Sequence, residues 1–250
     1  MLLHAPNESR PYHLGPLPQE VLPRDAGILE VEASRPKSNV RAAAEITNAP
    51  FSVAIERYHR LFASLAAGDV AVEEAPVPDD TALRAVDIKG GGYFLNASGI
   101  GICALPQNAW LVGCDETAAT HAVVIMVEHG RGPEADNMAA GWVGDGDEAA
   151  GDLRAAEIAT CLAGHIRQMG FAAQAHSVGH SQVDIERLAV MAGLVVRNGE
   201  AVLNPYLGTR FSLAAVTTEY ALEPDMPLAA DTPTSHGLRY WLGINGAQSG

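Results

Sequence analysis

Cysteine is scarce: Cys103, Cys114 and Cys161 are the only three in 250 residues, and no two are closely spaced. That excludes a disulfide framework and a structural zinc site, and it suits a reducing compartment. Basic side chains are also in short supply, 16 against 30 acidic, for a formal net charge of −14. Such a chain lacks the positive field that a nucleic-acid partner requires. No apolar run approaches the roughly eighteen residues of a membrane-spanning helix. The opening MLLHAPNESRPYHLG lacks both the basic-then-apolar order of an export signal and a twin-arginine pair, so a cytoplasmic location without membrane attachment is expected. There is no GxGxxG between strand and helix, no Walker lysine and no repeat of twenty to fifty residues.

Apolar residues are plentiful at 48%, enough for a substantial core. Residues 1–48, rich in Pro and charge, read as an N-terminal arm, and residues 49–250 as the core domain. Val53, Ile55, Tyr58, Leu61, Phe62 and Leu65 fall near helical spacing, and a second helical stretch starts at Thr81. Gly90-Gly91-Gly92 could approach a phosphate or form a flexible turn, and without a phosphate-binding motif the turn is favoured. His121 to His129 is an unbroken apolar run that suits a central strand. An acidic, Gly-rich loop from Gly130 to Gly151 then gives way to a helix carrying Ile158, Leu162, Ile166 and Met169 on one face.

The stretch 188–228 carries the most information. Ile185, Leu188, Ala189 and Ala192 predict a short amphipathic helix stopped by Gly193. Val195 to Leu203 is a good hairpin sequence with an Asn198-Gly199 turn. Asn204-Pro205 and Gly208 shape a loop, and Phe211 to Tyr220 suits a buried strand. Helix, shaped loop and strand together make a cradle for a large planar ligand.

These residues resemble the cobalamin-dependent reductive dehalogenases of the soluble, non-respiratory branch, and more distantly the epoxyqueuosine reductases. The resemblance rests on Met191-Ala192-Gly193-Leu194, Arg197, Asn198-Gly199-Glu200, Leu203-Asn204-Pro205, Gly208-Thr209-Arg210-Phe211, Thr217-Thr218-Glu219 and Glu223-Pro224-Asp225-Met226-Pro227. Upstream, Lys89 to Leu95, Ile102-Cys103, Arg154 to Ala159, Ala175-His176-Ser177 and His180-Ser181 fit the same family. The fold this implies is α+β, a nitroreductase-like α/β sandwich serving as a corrinoid-binding core. The implied contacts are a loop from Leu203 through Asn204, Tyr206, Gly208, Arg210 and Phe211 to Ser212 cupping the macrocycle, His180 and Ser181 at a polar rim, and Asp152 with Arg154 near the upper face.

The sequence also departs from the family. Where two CxxCxxCxxxCP motifs should begin to hold four-iron clusters, it has His236-Gly237-Leu238-Arg239-Tyr240-Trp241 and no cysteine, and three scattered cysteines cannot supply one four-thiolate site. The family's proton-donating Tyr aligns with Asp152 and its assisting Lys with Ser212. Asp152 is read either as a helix cap or as a proton donor, the latter only if burial raises its pKa. Arg210 is read either as a partner for a cofactor or substrate carboxylate or as an ion-pair partner of Asp225 or Glu223. His176 and His180 are read as loop hydrogen-bonding groups in preference to metal ligands, and no metal site is expected. Tyr93-Phe94 and Trp241 are read as packing residues.

The expectation is a corrinoid-binding, reductive-dehalogenase-like protein without iron-sulfur clusters. It would be served by a separate reductase or ferredoxin and act on a small, halogenated organic substrate. The alternatives are a flavin-dependent nitroreductase-type oxidoreductase holding FMN and a cofactor-free structural or regulatory homologue. The resemblance also implies a homodimer, because nitroreductase-type folds build their cofactor site at a subunit interface and the longer dehalogenases cover the corrin with further domains, leaving cleft surface open here.

Overall fold

The computed structural model describes residues 10–40, 49–134, 136–144 and 146–234. The elements are α1 (Gly27–Ser34), α2 (Pro50–Ser64), α3 (Thr81–Phe94), β1 (Gly99–Ala104), β2 (His121–Glu128), α4 (Ala140–Val143), α5 (Gly146–Gln168), β3 (Ala173–His176), α6 (Ile185–Met191), β4 (Val196–Asn198), β5 (Ala201–Leu203) and β6 (Phe211–Thr218). Four of the strands form an antiparallel sheet in the order β1-β2-β6-β3, and β4 and β5 form a separate hairpin. His236, Trp241 and the rest of the C-terminal segment lie outside the described residues.

The continuous apolar run of β2 follows from burial on both faces. Val123, Ile125 and Val127 join Ile158, Ala159 and Leu162 of α5 and Ile88 of α3 in one core. Ala122, Val124 and Met126 point the other way, into a second core built from Leu188 to Leu194, Tyr206 and Leu207, with Leu17 and Leu22 from the N-terminal segment. The result is an α+β sandwich in which every inward position of the central strands needs an apolar side chain. Among the described residues no helix is long and apolar enough to cross a membrane.

Four local expectations are corrected. The glycines at 90–92 do not form a turn but continue α3, because the Tyr12 ring lies where a Gly90 Cβ would be, 1.9 Å away. Packing at that point requires a residue without a side chain, and it outweighs poor helix propensity. The hairpin turn is Gly199-Glu200, since Asn198 pairs with Ala201. Helix α2 buries Ser52, Ile55 and His59 and leaves Phe51, Val53, Tyr58, Leu61 and Leu65 exposed, so the apolar stripe is not its inner face. Tyr93 does pack at the core, with its hydroxyl accepting from the Ile100 amide at 3.1 Å, but Phe94 is 84% exposed.

Helix α5 starts at Gly146, well before the expected end of the Gly-rich loop. Asp152 is therefore inside the helix and not at its start, so it caps no free N–H groups. This shift in one boundary changes the chemistry of the site.

Candidate functional site

The short β3 creates the cleft. It pairs with β6 only from Thr218 to Ala215, leaving Phe211 to Ala214 without a neighbouring strand on that side. A cleft of about 440 Å³ occupies this place. Ser177, Val178, Gly179 and Ser181, without His180, form one wall, Val183 to Glu186 another, and Ala201, Val202, Thr209, Phe211, Ser212 and Leu213 a third. Glu148 and Asp152 of α5 face it, and Ser38 and Asn39 of the N-terminal segment close one side. A second hollow of about 360 Å³ shares Ser38, Asn39, Asp184 and Glu186 with it.

Asp152 and Ser212, which the family alignment pairs, line the same cleft. Burial raises the Asp152 carboxyl to about 6, with the Ser212 hydroxyl opposing and neighbouring Glu148 reinforcing. Ser212 Oγ also lies 3.0 Å from His129 Nε2 and 3.5 Å from the Glu148 carbonyl. Burial holds the His129 imidazole below the usual histidine range, with Glu148 and Asp147 opposing and Arg210 reinforcing.

Gly151 makes this contact sterically feasible. A Cβ there would sit 2.7 Å from Ser212 Oγ and 2.8 Å from His129 Cδ2, closer than real Cβ atoms come. Gly151→Ala should displace both groups at an overpacking cost of about 1–3 kcal/mol, partly offset by about 1 kcal/mol of helix propensity. The expected result is a small loss in urea-denaturation stability together with a clear shift of the His129 imidazole resonances; unchanged resonances would contradict the crowding.

The other expected site residues are placed as follows. Ser181 lines the cleft, its hydroxyl donating to Val183 O at 2.7 Å. Phe211 presents an apolar wall. Asn204 is fully buried; its amide donates to Leu194 O at 2.7 Å and its carbonyl accepts from Tyr206 and Leu207 N–H. Tyr206 is buried, with its hydroxyl donating to Pro18 O at 2.7 Å. Gly208 closes that turn through paired backbone bonds with Asn204, and Leu203 packs beside the core. These four support the wall from behind and do not face the cleft. Arg154 is exposed and away from the cleft lining, as is Arg210, which donates to Gly130 O at 2.8 Å. Asp225 and Glu223 have other partners, Lys89 and Thr81, which corrects the ion-pair reading of Arg210.

His176 resolves in favour of hydrogen bonding. Its Nδ1 accepts from the Gln182 amide at 3.3 Å, which leaves the proton on Nε2 to bond Thr217 Oγ1 at 2.9 Å. Burial pushes it down to about 4, and neither ring nitrogen is free for a metal. His180 is exposed, edge-on to the His59 ring at 5.6 Å. Among the described residues no group of three or more His, Cys, Asp or Glu is placed to hold a metal ion.

Sequence reasoning missed His129, Glu148, Ser177 and Asp184. For His129 the one available signal was its place at the end of the central apolar run, which sets it beside the start of β6.

The walls have the character a corrinoid needs. Leu111, Val178, Val183, Ile185, Val202 and Phe211 offer apolar surface to a flat macrocycle, while Ser177, Ser181 and Thr209 offer hydroxyls to its amide-bearing edge. The two adjoining hollows are together in the range of a large cofactor site.

No family model matches the sequence, and no curated protein does. Solved structures do match. The catabolic reductive dehalogenase NpRdhA superposes with a TM-score of 0.82 and 38% identity, covering 98% of this chain and 34% of that one. Its complex with 3-bromo-4-hydroxybenzoic acid gives 0.80 and 38%, covering 95% and 33%. A reductive dehalogenase structure from work on B12-dependent dehalogenation gives 0.81 and 39%, covering 96% and 34%. Epoxyqueuosine reductases match only at 16% identity and a TM-score of 0.42, too weakly to bear on the argument. This chain spans about a third of the length of the dehalogenases it matches. Over nearly all of its own length it is similar in fold and in sequence to the reductive dehalogenases.

Proposed function

We propose that this protein binds cobalamin in the cleft between β6, α5 and the Ser177–Ser181 turn, and acts there as a reductive-dehalogenase-like oxidoreductase. The observation that carries the reading is the meeting of two stretches distant in sequence. Asp152 and Ser212 align with the family's proton-donating pair and face one cleft. The substrate class is a small halogenated organic molecule, in keeping with the bromophenol acid held by NpRdhA in its complex.

Cobalamin, when bound, supplies the reducing cobalt centre at which a carbon–halogen bond breaks. The chain supplies position and a proton. Val183, Ile185, Val202 and Phe211 would hold the cofactor through apolar contact and exclude water, and Ser177, Ser181 and Thr209 would meet its polar groups. Asp152 delivers the proton to the carbon that loses halide. Electrons would reach the cleft from outside these 250 residues, because Cys103 is fully buried with its thiol pushed up by burial, and Cys114 and Cys161 alone cannot ligate a cluster.

The pH dependence follows from the raised carboxyl. Only protonated Asp152 donates, so the protonated fraction falls tenfold per unit above about pH 6, to roughly a tenth at pH 7. Halide release under a strong chemical reductant should therefore decline above pH 6; a profile flat to pH 8 would remove Asp152 from the role. The direct test of the reading is an ultraviolet-visible spectrum of the purified protein with and without added hydroxocobalamin. A stoichiometric red complex supports it. A yellow protein that ignores hydroxocobalamin points to flavin, and a colourless one that binds neither points to a cofactor-free homologue.

A further inference from the structure

We propose that an exposed apolar seam along α2 is the face on which a second copy of this chain docks, helix against helix about a twofold axis. The contact is independent of what the cleft holds.

Helix α2 has two apolar faces. One, built on Ser52, Ile55 and His59, turns inward. The other, Phe51, Ala54, Tyr58, Leu61 and Leu65, advances in steps of three, four, three and four residues, the spacing of a seam that packs on another helix. All five are exposed, Phe51 by 59%, Tyr58 by 57% and Leu61 by 52%, so no described element covers the seam. A helix face left to water carries polar residues at such positions. Near the start of α2, the Ser52 hydroxyl donates to Val143 O of α4 at 3.2 Å, and the adjoining Trp142 is also exposed.

Size and charge both favour a second copy. Half-exposed aromatic and leucine side chains at these positions present roughly 500 Å² of apolar surface. Two copies would bury about 1,000 Å² of it, and the polar rim brings the total into the range of about 1,200–2,000 Å² that a stable pair needs. At a net charge of −14, copies repel each other over most of their surface. The charged residues of α2 are Glu56, Arg57 and Arg60, and α4 has none, so this face is a net positive exception on which two acidic chains meet with least repulsion. Tyr58, at the middle of the seam, meets its own equivalent whether the helices run parallel or antiparallel. The same helix reaches the cleft wall through His59, whose Nε2 lies 3.2 Å from Ser177 Oγ, so the second copy braces the turn that holds Ser177.

Light scattering of the purified chain from about 1 to 100 µM should report a dimer. Leu61→Glu places a charge in the seam of each copy and should raise the dissociation constant roughly a hundredfold or more. Circular dichroism and the urea midpoint should stay as in wild type, since Leu61 is already half-exposed. A wild-type chain that is monomeric at the highest concentration would overturn the proposal and leave the seam to another partner. So would a folded Leu61→Glu protein that dimerises as tightly as wild type, which would put the interface elsewhere. Should Leu61→Glu fail to fold, Tyr58→Cys decides in a background of Cys114→Ser and Cys161→Ser, with Cys103 too buried to react. A short bismaleimide should join most of that protein into covalent dimers, and a protein that stays single-chain would defeat the seam.

Discussion

Glu32→Ala is expected to cost about 3–5 kcal/mol of stability, because it leaves Arg197 without its counter-charge and Arg187 with Asp184 alone. Glu32 is 1% exposed and accepts from Arg197 Nε at 2.8 Å and Nη2 at 3.1 Å, a two-pronged pair. Arg187, also 1% exposed, lies 3.9 Å from the same carboxylate, and its remaining nitrogens donate to Asn108 O and Pro36 O. The three residues come from α1, α6 and β4, so one carboxylate ties the N-terminal segment to the elements that build the cleft. In a domain of this size the loss corresponds to a fall in Tm of roughly 10 °C. Glu32→Gln, which keeps an acceptor for Arg197, should cost less. Because Ser38 and Asn39 line the cleft a few residues after α1, Glu32→Ala should also weaken hydroxocobalamin binding. A urea-derived stability within about 0.5 kcal/mol of wild type would show that the pair contributes nothing net, an outcome known for some buried ion pairs.

How much is legible in the sequence depends on whether the signal is local. β2, β6 and α6 follow from runs and periods a few residues long, and Gly193 ends α6 with a φ of +67° as expected. The hairpin is legible but its turn lies one residue further on, since Asn-Gly and Gly-Glu both place a glycine where φ is positive. Helices α3 and α5 escape a local reading where glycines cluster, because what holds Gly90 and Gly151 in helices is contact with Tyr12 and with Ser212 and His129, far away in sequence. The same applies to the site. Family resemblance names Asp152 and Ser212, but Asn204 and Tyr206 prove to be buried supports whose partners, Leu194 O and Pro18 O, no motif reveals. His129 carries no pattern of its own; only the register of β2 on β6 brings it to Ser212.

Asp152→Asn is expected to stabilise the fold at neutral pH while removing the proposed proton donor. The folded-state carboxyl, raised from 3.8 to about 6, binds protons that the unfolded chain has already lost, so its contribution to stability declines as pH rises between those values. At pH 7, holding an ionised carboxylate in this site costs about 3 kcal/mol relative to the unfolded chain, each tenfold change in proton affinity being worth about 1.4 kcal/mol. Asparagine is neutral at every pH and retains a carbonyl that can accept from the Ser212 hydroxyl, so it escapes that cost. The gain over wild type should be about 2–3 kcal/mol at pH 7 and should vanish near pH 4, where wild-type Asp152 is itself protonated in the folded state. His176 titrates in the same acid range with the opposite sign: its depression to about 4 makes the fold lose stability as pH falls from 6.5. The wild-type pH profile therefore conceals both effects, and the difference between wild type and Asp152→Asn isolates the carboxyl. Urea denaturation of the two proteins at pH 4 and pH 7 measures it. An equal or lower midpoint for the variant at pH 7 would mean that Asp152 is well solvated there, ionised through the working range, and unable to act as the acid. A carboxyl that weakens the fold at the pH where it works is expected of a residue placed for chemistry, since nothing in packing or capping calls for a charge at that point of α5.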